Sequence, residues 1–232
     1  MENFINVWLS IWLYVLVGIG IILGVSVYKN RKTWDKLNIF CTLAVIVLVL
    51  HVLEEWVFPG GLHYSYNISH GSDLLSNYPM NRLSDMITNF GAVVLGTVVL
   101  KIWRFRKPAG IAIMLFSLFE LVIHVIIGIN DMSLFTEYGM QTLYSPGLVT
   151  SVFGFLPVAV GLFKELYLKK DNKKPTIVQH IMAVAATAVL CFLLINLPEM
   201  LIGTKDNPYS FTDRGYYEQF AEEFEADNNM LY

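Results

Sequence analysis

Six apolar runs constrain this chain more than any other feature. They fall at roughly 8–28, 37–58, 83–103, 109–130, 148–168 and 176–198. A helix of about 20 apolar residues is long enough to cross the hydrocarbon layer of a bilayer, and it satisfies its own backbone there. Charge is correspondingly scarce, at 15% of 232 residues, against about a quarter in an ordinary soluble domain. The expected fold is therefore an all-α, polytopic membrane protein. A six-transmembrane-helix bundle occupies 1–202, and an acidic tail follows over 203–232. The opening "MENFIN" lacks Lys and Arg, and the run behind it is too long for a signal h-region, so it does not read as a cleaved signal peptide. Cys41 and Cys191 lie inside apolar runs and are expected as free thiols.

The basic residues set the expected orientation. Thirteen of the 16 Lys and Arg gather in three connections, spanning 29–36, 101–107 and 164–174. By the positive-inside rule these connections are cytoplasmic, and both termini face outside. The tail "YYEQFAEEFEA" (216–226) reads as a solvated acidic segment or a short surface helix. The net charge of −3 says little about partners. Membrane lipids are the expected surroundings, in a multi-pass protein of the cell membrane, of the bacterial plasma-membrane kind. No nucleic-acid partner is expected.

Within this apolar background, ionisable residues are expensive. Each costs roughly 2.5–3.5 kcal/mol at the bilayer centre on insertion scales. The stretch "LVLHVLEEWVF" (48–58) nevertheless carries His51, Glu54 and Glu55 in the second run. Taking 1.5 Å per residue, His51 lies about 10 Å inward from the outer end of its helix. His124 and Asn89 lie about 9 Å inward in their own helices, and Glu120 about 15 Å. Asp85 is shallower. The buried polar groups thus gather in the outer half of the bilayer.

Helical spacing places them on shared faces. Glu54 and Glu55 flank the direction of His51 by about −60° and +40°. Glu120 and His124 are at i, i+4 on a second helix. The expected metal set is His51, Glu55, Glu120 and His124, and the expected acid–base set is Glu54, Glu55, Glu120 and Tyr144. Imidazole nitrogen and carboxylate oxygen suit zinc, iron or manganese. The order differs from the Glu-x-x-His signature of soluble di-metal bundles. Glu55 is expected to face the pocket beside His124, and Glu54 to turn toward Asp85 or Asn89. "LVLHV" (48–52) and "LVIHV" (121–125) hint at a parallel repeat.

The second connection, 59–82, is long and polar. His63, His70 and Asp73 are candidates to reach the pocket from it, although ordinary loop roles are the simpler reading. "NIS" (67–69) is a glycosylation sequon by pattern. "YSPG" (144–147) marks a turn, with Tyr144 either over the site or anchored at the interface. Pro157 is expected to kink the fifth helix.

"HVLEEW" (51–56) in a second membrane run resembles the family of integral membrane proteins named for its H-x-x-E-E motif. His51, Glu54 and Glu55 match that motif in full, and the resemblance covers roughly 40–165. It implies a membrane protein, with an enzyme as one reading, and supplies no substrate or reaction. The residues themselves leave several classes open. One is a metal-dependent enzyme acting on a lipid-soluble or amphiphilic substrate, and another a metal-free acid–base isomerase. A proton- or cation-coupled transporter and a structural or assembly protein complete the set.

Overall fold

The computed structural model describes residues 2–101, 106–170 and 173–232. Arg104 and the expected end of the third run at Trp103 lie outside the described residues. Among the described residues the protein is all-helical, with 76% helix. The helices are α1 (Glu2–Asn30), α2 (Lys36–Trp56), α3 (Leu62–Ser69), α4 (Arg82–Val99), α5 (Arg106–Phe135), α6 (Leu148–Leu168), α7 (Ile177–Ile202) and α8 (Glu218–Asn228).

Five of them are long and apolar enough to cross a membrane: α1, α2, α5 with its following turn, α6 and α7. Of the six expected spans, α4 is the one outside that set. Arg82, Asp85 and Asn89 fall in its first half and dilute the apolar stretch.

Local signals set the helix limits. The Asp35 side chain caps α2 by accepting from the Asn38 amide at 2.9 Å. Asn81 opens α4 with a reciprocal box to Ser84, and Thr176 opens α7 with one to Gln179. Such boxes satisfy amides that have no partner in the first helical turn. Pro157 lies inside α6. It follows a wide π turn at Ser151–Phe155, in which the Leu156 amide reaches back to the Ser151 carbonyl. Pro198 follows a second such turn at Phe192–Asn196. Proline lacks the amide for a normal bond and crowds the preceding turn, and a widened turn accommodates both effects.

α2 is the central helix, packed by α1, α4, α5 and α6. Leu9, Trp12, Leu16, Val49 and Val52 form one core between α1 and α2. Cys41, Ile111, Ala159 and Leu162 form a second core, between α2, α5 and α6. Both cysteines are free thiols. α2 and α5 run parallel. The Asp35–Arg106 ion pair joins their starts, and His51 meets His124 further along. Lys107 donates to the Lys173 carbonyl, which brings the third basic connection to the same end of the bundle.

The opposite end carries a folded cap. The tail is not a solvated strand of chain: α8 and the turn before it bury Tyr217, Phe220, Ala221 and Phe224 against Tyr64, Leu75, Phe135 and Met140. Backbone bonds stitch the tail to the 59–82 connection, with Leu75 donating to Leu231 at 2.8 Å and Leu231 to Asp73 at 3.0 Å. Arg214 forks onto Glu225 at 2.7 and 2.8 Å. Buried Asp131 of α5 accepts from Ser65 and Tyr217 and so fixes the cap to the bundle. Asn67 of the sequon is fully buried. Its amide bonds Leu75 and Met80, so it is a bracing residue inside the cap.

Candidate metal centre

The i, i+4 spacing puts His51 and Glu55 on one stripe of α2, and Glu120 and His124 on one stripe of α5. The two stripes face each other in a buried seam. The Glu55 Oε1 atom lies 3.1 Å from His51 Nε2 and 3.2 Å from His124 Nε2. The Glu120 Oε2 atom lies 3.4 Å from His51 Nε2 and 3.6 Å from His124 Nε2. Ligand atoms of His51, Glu120 and His124 all fall within 4.8 Å of one another. The two imidazoles meet edge to face with centroids 4.7 Å apart, and Phe155 from the π turn of α6 closes one side of His51 at 5.2 Å. His51 and His124 are each 2% exposed, so this charge-rich cluster is shielded from water.

Glu54 does not share that seam. It turns to the start of α6 rather than to α4. One of its oxygens accepts from the Val149 amide at 3.0 Å and the Tyr144 hydroxyl at 3.2 Å. The other accepts from the Thr150 amide at 2.8 Å and the Thr150 hydroxyl at 2.6 Å. The first amides of a helix have no internal partner and carry partial positive charge, and a carboxylate there satisfies both needs. Asp85 and Asn89 bond each other instead, with Asn89 Nδ2 donating at 2.6 Å.

A family profile described as "Protein of unknown function with HXXEE motif" matches residues 42–162, more than half of the chain. The chain belongs to the HXXEE family. The matched stretch runs from α2 into α6 and contains His51, Glu54, Glu55, Glu120 and His124. No curated protein and no solved structure matches this HXXEE chain.

The loop candidates of the HXXEE protein make other contacts. His63 of α3 stacks on Phe211 with centroids 3.6 Å apart, and its Nε2 meets the Tyr232 hydroxyl at 3.0 Å. Burial pushes this imidazole down from its ordinary 6.5 to about 3, so it is a neutral packing element of the cap. His70 stacks on Tyr66 and bonds its carbonyl at 2.8 Å. Exposed Asp73 pairs with Lys205, whose ammonium holds the carboxyl below its usual range.

Sequence reasoning missed two residues that shape the centre. Thr150 stands beside Ser151 at the start of an apolar run, and its Oγ1 lies 2.8 Å from His51 Nδ1. Gly147 was visible only as part of a turn. It sits at a φ of +95°, and a Cβ there would lie 2.3 Å from the His124 ring. The "YSPG" turn therefore carries the floor on which that ring rests.

Proposed function

We propose that this HXXEE protein is an integral membrane metalloenzyme acting on a lipid-soluble or amphiphilic substrate. His51 and Glu55 would hold the ion from α2, and Glu120 and His124 from α5. The observation that carries the reading is the set of four nitrogen–oxygen separations: 3.1, 3.2, 3.4 and 3.6 Å. A tetrahedral ion with bonds of 2.0–2.1 Å has ligand–ligand edges of roughly 3.3–3.4 Å. The donor set suits zinc, iron or manganese. Two carboxylates held this close also call for a positive charge between them.

When bound, the ion would supply Lewis acidity or an activated water. The chain's own share is to hold four donors in a dry seam and to admit substrate. Glu120 has the most open side chain of the four, 13% exposed, and marks the side on which the substrate would meet the centre. The two shortest separations also suit a shared proton, which supports a metal-free acid–base isomerase as the second reading. Protein purified and reconstituted at neutral pH should carry close to one equivalent of transition metal by elemental analysis. A metal-free result would pass the site to the isomerase reading.

The reading includes six spans, α4 among them, with both termini outside. The support is the gathering of the basic connections at one end of the bundle. Cysteines placed at Asn3 and Asp227 should react with an impermeant thiol reagent in intact cells. Protection of both would reverse the orientation.

A further inference from the structure

The two histidines at the centre are held in different ways. His51 Nδ1 lies 2.8 Å from the Thr150 hydroxyl oxygen. That hydroxyl has one proton and two other neighbours, Glu54 Oε2 at 2.6 Å and the Gly147 carbonyl at 3.2 Å. A carboxylate and a carbonyl only accept, so the Thr150 proton is committed to them, and the shorter, charge-assisted bond to Glu54 takes it. Toward His51, Thr150 can then only accept, which requires a proton on His51 Nδ1. In a neutral ring, Nε2 is left with its lone pair. That atom is buried, lies 3.1 Å from Glu55 and 3.4 Å from Glu120, and makes no hydrogen bond to either. A buried lone pair flanked by two carboxylates is a site for a cation.

His124 has no comparable partner among the described residues. Its Nδ1 is buried without a hydrogen bond, and the ring is positioned by contact with Gly147.

We infer that Glu54 and Thr150 form a hydrogen-bonded relay that fixes His51 in one tautomer, so that its Nε2 is presented to an ion shared with Glu55, Glu120 and His124. The inference rests on the metal reading above and gives the second carboxylate of the motif a task. Glu54 and Thr150 are positioning residues, because neither reaches the ion. An outer partner of a ligating histidine sets ring orientation and tautomer and typically accounts for 10–100-fold in metal affinity.

The test uses the full chain in two measurements. Nitrogen NMR of metal-free protein at mildly alkaline pH should show His51 protonated at Nδ1. Thr150→Val should mix or invert that tautomer, and Thr150→Ser should keep it. Cobalt(II) and zinc titrations should show a loss of about 10–100-fold for Thr150→Val and near-native affinity for Thr150→Ser. A native spectrum with the proton on Nε2 and none on Nδ1 overturns the relay whatever the variants do, including a Thr150→Val protein that fails to fold. Native metal affinity in Thr150→Val, with an unchanged His51 spectrum, overturns it as well. A native protein that binds neither metal would end the metal reading alone, and the nitrogen spectrum would still decide the relay.

Discussion

Glu55→Gln should strip the metal from the purified protein while leaving it folded, whereas Glu54→Gln should lower the melting point and weaken metal binding by no more than about 10–100-fold. The two residues are neighbours in sequence, but about 100° of helical rotation separates them. Glu55 lies within 3.2 Å of both imidazole Nε2 atoms, so its charge is what a cation between the rings would meet first. An amide there loses that charge, and the affinity should fall by more than the 10–100-fold tied to an outer partner. Glu54 instead collects four donors from the turn and start of α6. Gln keeps one accepting oxygen and places an NH2 where the other stood. Each buried donor left without a partner costs about 1–3 kcal/mol. Metal content by elemental analysis and thermal unfolding by circular dichroism would separate the two outcomes. Equal tolerance of both changes, with native metal content and melting point, would leave "HVLEEW" as a device for helix registry.

Gly147→Ala should damage stability and metal binding together. Its φ of +95° lies where a Cβ is strained, at a cost of roughly 1–2 kcal/mol. The new Cβ would also lie 2.3 Å from His124 Cε1 and 2.7 Å from Nε2. The ring must shift, and its Nε2 leaves the neighbourhood of Glu55. Gly139→Ala is the control. Its φ is +98°, with nothing among the described residues within 4 Å of the added carbon. It shares the backbone strain and lacks the clash, so it should lose stability by a similar strain term and keep its metal. If the two variants bind zinc alike, Gly147 does not position His124.

Five of the six expected apolar helices were legible because hydrophobicity along a chain is a local property. α6 runs Leu148–Leu168 as expected, and α7 exceeds its expected end by one turn, to Ile202. The pairing of His51 with Glu55, and of Glu120 with His124, was legible for the same reason: i, i+4 neighbours share a face. Glu54's partners were not, because two of them are backbone amides of residues 149 and 150, and any sequence has amides. The cap had a readable signal that a low mean hydropathy masked. Tyr217, Phe220, Ala221 and Phe224 recur at i, i+3, i+4 and i+7, which makes one apolar stripe along α8 and the turn before it. The acidic residues between them occupy the opposite face.

Tyr144, the hydroxyl donor to Glu54, rests edge-on against Tyr216 of the tail, with centroids 4.8 Å apart. A ribosome makes residue 216 only after helices α1 to α7. The histidines and carboxylates of α2 and α5 can therefore meet early in the life of the nascent chain. The tyrosine that braces Glu54 gains its backing only when the tail arrives. Biogenesis thus divides the centre into an early frame and a late brace, and a ribosome stalled within the tail would leave the frame assembled and the brace unsupported.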